Sequence, residues 1–224
     1  MRDATDELSE DRYVPAAGRA WLTRLYDPVM ALTMREGAWR DALRDRVLGA
    51  LPAEGTVVEV GAGTGTFATA LATARADAKV IAVDGDGDAL RIAQAKRDAG
   101  LVDWRQGLAG ALPLEDRSAD AVVMSLLLHH LGPDAKRAAL GEAHRVLRPG
   151  AALHVADWGR PHGPGTRAAF YLVQALDGFP NTRDHVAGRI PAYVSAAGFG
   201  QPAVWRRLRT PWGSLELASA VRDG

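Results

Sequence analysis

Between residues 50 and 160, short apolar runs alternate with stretches of helical period. Runs such as Val57-Val58-Glu59-Val60 and Val80-Ile81-Ala82-Val83 predict strands near 56–60, 79–84, 101–106, 119–125 and 150–156. Apolar residues at helical spacing predict helices near 65–75, 87–99 and 134–147. The last of these opens with Gly132-Pro133 and closes at Pro149-Gly150, a start and a stop with a mechanism. Strand followed by helix, repeated, predicts a parallel sheet.

The flanks read differently. Residues 1–12 carry few apolar side chains. Residues 16–50 place Trp21, Leu25, Val29 and Leu32, then Ala42, Leu43 and Val47, at helical spacing, and Pro28 marks a break or a start after Asp27. Two or three helices are expected to cap the sheet, a helical cap over 1–50 on a main domain over 51–224. Residues 158–192, rich in Gly, Pro, Arg and His, interrupt the alternation as an insertion expected to form a loop and a helix over the mouth. Two strands near 202–209 and 214–220 flank Pro211-Trp212-Gly213, a plausible hairpin.

The first strand ends in the densest chemistry of the chain. Glu59 precedes Gly61-Ala62-Gly63-Thr64-Gly65, and the second strand closes on Asp84. A glycine turn lets a ligand press on bare backbone, and the helix after it offers unpaired N–H groups. A carboxylate at the neighbouring strand tip is placed to accept hydrogen bonds from two ribose hydroxyls. The dinucleotide fingerprint wants a third glycine where Thr66 stands, and Glu59 would repel a pyrophosphate. A cationic, phosphate-free nucleoside fits better, and S-adenosylmethionine carries a sulfonium and an ammonium. Asp86 or Asp88 is the natural cap of the helix that follows.

Further segments fall into a familiar order: Leu112-Pro113-Leu114, Ala119 to Val123, Leu128-His129-His130-Leu131, and Arg145-Val146-Leu147-Arg148-Pro149-Gly150. With Glu59 to Gly65 and Val83-Asp84, they make roughly residues 50–160 resemble the class I S-adenosylmethionine-dependent methyltransferases. The resemblance implies a three-layer α/β sandwich with a Rossmann-like, seven-stranded, mostly parallel sheet whose last strand is antiparallel. It implies a cofactor site at Glu59, Gly61, Ala62, Gly63, Gly65, Asp84, Gly85, Leu108, Ala109, Ser125 and Leu126. Leu108 departs from the acidic residue the family often carries there, so adenine would meet its side chain and nearby backbone. Ser125-Leu126-Leu127-Leu128 lacks the polar-Pro-Pro-aromatic tetrad of nucleic-acid amino methyltransferases.

His129, His130 and Asp157 are the catalytic candidates. A sulfonium methyl is already a good electrophile, so an enzyme of this kind must position the nucleophile and sometimes remove its proton. A histidine suits deprotonation of a hydroxyl, and Asp157, after the fifth strand, could orient it or act as base. Such a pair is similar to that of small-molecule O-methyltransferases acting on sugars of natural products. Adjacent residues cannot both face one cleft, so at most one histidine is catalytic, and either could instead be structural. Asp157 alone is a poor magnesium site, so no metal is expected. His144 and His154 read as structural, and His162 and His185 as pocket-lining. Tyr13, Tyr26, Trp158, Phe170, Tyr171 and Phe179 could form an aromatic lid. Arg35 could meet the cofactor carboxylate.

Composition narrows the partners. Lys plus Arg and Asp plus Glu are 27 each, so no global field recruits nucleic acid or membrane. Cysteine is absent, which excludes a disulfide framework and thiolate chemistry. A polar N-terminus and the lack of a ~20-residue apolar run make a soluble, cytoplasmic monomer or homodimer the expectation. The expected activity is methyl transfer to a small molecule, most readily at a hydroxyl oxygen, with carbon or nitrogen less favoured. Two alternatives stand beside it: a protein that binds S-adenosylmethionine without transferring its methyl, and an NAD-dependent oxidoreductase.

Overall fold

The computed structural model describes residues 36–224. The expected helices over 16–35, and Tyr13, Tyr26 and Arg35, lie outside the described residues. Seven strands form one sheet: β1 (Thr56–Val60), β2 (Lys79–Asp84), β3 (Val102–Gln106), β4 (Ala119–Ser125), β5 (Leu147–Trp158), β6 (Ala203–Thr210) and β7 (Gly213–Val221). Their order is β3-β2-β1-β4-β5-β7-β6. The first five run parallel, and β7 lies antiparallel between β5 and β6. The order reverses between β1 and β4, where open α/β sheets leave a crevice at their carboxyl ends.

Both faces of the sheet are buried. One core gathers Val57, Ala121, Val123 and Trp158 with side chains from α1 (Glu36–Ala50), α2 (Thr66–Ala74) and α5 (Pro164–Asp177). The opposite core gathers Val58, Val60, Val122, Met124 and Val155 with α4 (Pro133–Val146) and α7 (Ile190–Ala196). Strand neighbours point to opposite faces, so consecutive valines feed both cores. Trp39, Leu43 and Val47 of α1 are buried in the first core, so α1 packs as part of this domain's own layer.

Three boundaries differ from expectation. The helix expected to close at Pro149-Gly150 ends at Val146, because Leu147 already pairs with Ala119 as β5 begins. The helix expected over 87–99 is α3 (Gly87–Gln94), followed by a short 3-10 turn at Ala99–Leu101. The Trp104 indole donates to the Ala99 carbonyl at 2.9 Å and holds that turn against β3. The insertion is not a loop and one helix but three helices: α5, α6 (Phe179–Val186) and α7. A proline opens each of them, at the first turn where its missing N–H costs nothing. Residues read as interruptions are helix starts.

The glycine turn shows why its glycines alternate. Gly61, Gly63 and Gly65 have φ of 76°, 53° and 74°, a left-handed conformation that penalises a Cβ. Gly65 also makes the close approach that the dinucleotide fingerprint assigns to its last glycine. A Cβ there would sit 2.2 Å from the Trp104 ring and 2.9 Å from Ala93. Gly65→Ala therefore combines backbone strain with overpacking, at a cost of about 2–4 kcal/mol. Thermal unfolding should show a clearly lowered Tm; an unchanged Tm would mean that this turn is not under constraint.

Candidate cofactor and acceptor site

Three features build the donor end at the tips of β1, β2 and β4. Gly61 and Ala62 both donate backbone hydrogen bonds to the Val83 carbonyl, pulling the turn over β2. The Asp84 carboxylate accepts from Gly63 N at 2.6 Å and from Asp86 N at 2.8 Å. Asp86, not Asp84, caps α3, accepting from Asp88 N and Ala89 N. Asp84 thus presents its charge at the strand tip while tying the two ends of the turn together.

Between the turn and α1 lies a cavity of about 170 Å³, lined by Arg40, Glu59, Gly61, Ala62, Gly63, Thr64, Thr66, Phe67, Ser125 and Leu126. Six of the eleven expected cofactor residues meet there. Gly65 sits behind the turn under Trp104, and Asp84 touches the cavity wall through Gly63. Gly85, Leu108 and Ala109 are not among the lining residues; they lie beside it at the tips of β2 and β3, with the Leu108 side chain exposed. The sequence reading missed Arg40, Thr64, Thr66 and Phe67. Arg40 stands one turn beyond Glu36, with which it pairs at 2.8 Å.

Glu59 is the electrostatic centre of this cavity. It is 1% exposed, accepts a long hydrogen bond of 3.4 Å from the Ser125 hydroxyl, and its Oε2 has no hydrogen-bond partner among the described residues. Burial pushes its pKa up to about 8, only partly offset by the Arg40 charge and the Ala68 amide. A buried carboxyl with an idle oxygen asks for a cationic donor. Beside it, Leu126 holds φ of 52°, a strained backbone for a branched side chain, at the crevice edge. Its amide donates to the Ala156 carbonyl at 2.8 Å, which locks the turn after β4 to β5.

The candidate acceptor end is built on Asp157. Its Oδ2 accepts from the amides of Leu128 (2.8 Å) and His129 (3.3 Å), and its Oδ1 from Trp158 N (2.7 Å) and His129 Nδ1 (2.8 Å). These donors occupy the carboxylate, so Asp157 orients His129 and has no lone pair to spare as a base. The pair is buried, and its attraction raises the His129 pKa against the opposing effect of burial while lowering that of Asp157. With Nδ1 given to Asp157, His129 Nε2 faces Asp177 Oδ2 at 3.7 Å; His130 Nδ1 lies 3.7 Å from Asp177 Oδ1. His129 is buried and His130 leaves 37% of its side chain exposed. Burial, aided by His129, keeps the His130 pKa low.

Asp177, at the end of α5, was not anticipated. Burial raises its pKa, and it joins His129 and His130 as the group of metal-ligand type that lies together among the described residues. The lid is anchored to this corner. Lys136, fully buried, donates to the carbonyls of Leu131 and Asn181 at 2.6 Å each, and Asn181 donates to the His130 carbonyl at 3.0 Å.

His162 and His185, expected to line the acceptor pocket, line a second cavity that shares no residue with the one at Glu59. His144 packs against Phe199 and His154 bonds Ser219, both structural. Of the aromatic lid, Trp158 and Phe170 are buried core, whereas Tyr171 and Phe179 pair on the surface.

Comparison with known proteins agrees with this geometry. Residues 57–150 match the model of a methyltransferase domain. The ubiquinone/menaquinone biosynthesis C-methyltransferase UbiE of Dinoroseobacter shibae is 31% identical over 49% of this chain and 50% of its own. The demethylmenaquinone methyltransferase of Renibacterium salmoninarum is 38% identical over 38% of this chain and 36% of its own. The chain spans about half the length of the curated relatives it matches, or less. Among solved structures, the YcgJ protein of Bacillus subtilis superimposes with a TM-score of 0.64 at 18% identity, covering 82% of this chain and 99% of that one. The matched segment spans every strand that builds the donor end, and the sheet carries the antiparallel strand expected beyond it: residues 57–150 carry a methyltransferase domain, and the chain is similar to the class I S-adenosylmethionine-dependent methyltransferases.

Proposed function

We propose that this chain binds S-adenosylmethionine in the cavity at Glu59 and transfers its methyl to a small-molecule acceptor. The observation that carries the proposal is the buried, unpartnered Glu59 oxygen beside a bare glycine turn. Glu59 would hold the ligand's ammonium, Arg40 its carboxylate, Asp84 the ribose hydroxyls, and the exposed Leu108 side chain the adenine face. A carboxyl that ionises opposite an ammonium gives nothing to a phosphate, so Glu59 favours this ligand over the pyrophosphate of NAD. When bound, S-adenosylmethionine supplies a methyl on a positively charged sulfur, which an acceptor oxygen or carbon takes in line to leave S-adenosylhomocysteine.

The chain's own task is then to place the acceptor and receive its proton. Asp157 fixes His129 in the tautomer that leaves Nε2 with a lone pair toward Asp177 and His130. A hydroxyl seated there loses its proton to His129. A hydroxyl on an aromatic ring, once deprotonated, is nucleophilic at oxygen and at ring carbon alike. Acceptors of the phenol or quinol class therefore reconcile the hydroxyl expectation with relatives named as C-methyltransferases. Among the described residues no helix is long and apolar enough to cross a membrane.

The direct test is incubation with S-adenosylmethionine and a panel of phenols and quinols, demethylmenaquinol among them, with S-adenosylhomocysteine and methylated product both measured. Product formation is expected. Tight donor binding with no methylated product across the panel would favour the reading in which the chain binds the donor without transferring its methyl. His129→Gln should leave S-adenosylhomocysteine affinity within about twofold and lower turnover on the order of 100-fold. The wild-type rate should rise with pH through a pKa above 6.5. Equal turnover and pH profile in the variant would remove His129 from the chemistry.

Glu59 makes an opposite pair of predictions. The folded protein keeps its proton up to about pH 8, whereas the unfolded chain releases it near 4.5. This group therefore erodes stability as pH rises from about 4.5 to 8. Glu59→Gln should raise the Tm of the ligand-free protein at pH 9, leave it nearly unchanged below pH 4.5, and weaken S-adenosylhomocysteine binding at least about tenfold. A lower Tm at pH 9, or unchanged affinity, would contradict the role given to this carboxyl.

A further inference from the structure

A second cavity, of about 280 Å³, opens on the face of the sheet that carries α4 and α7, along β5, β6 and β7. Its walls are largely apolar: Val155, Trp158, Ile190, Val204 and Ala218 are among them. The donor cavity at Glu59 shares none of its lining residues. Arg160, Arg207 and Glu216 stand along it, the last two paired at 2.9 Å, so part of the charge there is already spent.

One polar side chain on this wall has unfinished chemistry. His185, on α6, is fully buried. Its Nδ1 lies 2.7 Å from the Trp158 carbonyl, which can only accept, so Nδ1 carries the hydrogen. Its Nε2 has no hydrogen-bond partner among the described residues. Burial lowers its pKa, so the ring is neutral and Nε2 is a bare acceptor. A buried acceptor left unpaired costs free energy that a ligand donor would recover. Asp157 Oδ1 lies 4.0 Å from His185 Nδ1, on the other side of the ring, and is taken up by its own donors.

We propose that this cavity is a second small-molecule site, which takes an apolar molecule carrying one hydroxyl or amine donor, seated with that donor on His185 Nε2. The apolar walls supply the affinity and the single acceptor supplies the orientation, the usual division of labour in such pockets. A site that hydrogen-bonds a hydroxyl discriminates sharply against the analogue that lacks it, because the buried partner is then left unpaired. The cavity touches the acceptor end through Asp157, but the inference needs neither the donor nor a turnover.

The test is calorimetric titration of the full chain, loaded with S-adenosylhomocysteine, with cyclohexanol and with cyclohexane, an aliphatic pair outside the phenol and quinol class assigned to His129. Wild type should bind one cyclohexanol at least tenfold more tightly than cyclohexane. His185→Phe should erase that preference while still binding both. Ala218→Leu fills the cavity from β7 without touching the His185 bonds, and should abolish binding of both probes. If His185→Phe does not fold, the Ala218→Leu result with the wild-type preference decides. Equal affinity for the two probes in wild type, no binding of either, or cyclohexanol binding undisturbed by Ala218→Leu would each overturn the proposal. Retained S-adenosylhomocysteine binding in that case would leave the donor site standing.

Discussion

The glycine turn between β1 and α2 is the constraint from which the donor end follows. Three residues in a row of five adopt the left-handed conformation, and only glycine does so without strain. The amides of Gly61 and Gly63 are fastened to the neighbouring strand through Val83 and the Asp84 carboxylate, and that of Gly65 closes the turn on the Ala62 carbonyl. That fastening bares the backbone toward the crevice and forces the chain away from Glu59, whose side chain is left buried with one oxygen idle. A fold that keeps a carboxyl at a pKa near 8 bears a standing cost, and a cationic ligand is the natural relief. The cavity and its charge preference are consequences of one turn.

The acceptor end rests on a different device. Asp157 collects three backbone amides and one imidazole, so the ends of β4 and β5 and the turn at His129 are bound into one unit. The strained Leu126 is held by the same edge of β5. Onto this unit the lid is pinned by Lys136 and Asn181, which donate to backbone carbonyls, and Lys136 also pairs with Asp184 at 3.8 Å. His129 is oriented from below and roofed from above, and Asp177 arrives with the roof. Precise placement of a nucleophile asks for this kind of rigidity.

Much of this was readable from residue order, for reasons that differ along the chain. Strands buried on both faces announce themselves as apolar runs, and positive φ announces itself as glycine, so β1, β2, β4 and the turn were legible. Asp86 was legible as a cap because capping is local. The Arg145 segment matched a family pattern, and its part is structural: Arg145 pairs with Glu142 and Asp116 and bonds the Leu112 and Leu114 carbonyls, closing the loop that leads to β4. What could not be read depends on convergence. Arg40 and Asp177 come from separate helices, and a helical period marks a buried face without saying what lies opposite. The lid helices were hidden by their prolines, which break a helix inside but open one at its first turn.

The account turns on whether the Glu59 cavity grips a cationic adenosyl ligand. Calorimetric titration of S-adenosylmethionine near pH 7, in two buffers of different ionisation enthalpy, addresses this most directly. The account predicts one-to-one binding with release of a proton, since Glu59 is protonated in the empty cavity and ionised opposite an ammonium. No binding of S-adenosylmethionine, binding of NAD in its place, or a heat that does not change with buffer would contradict it.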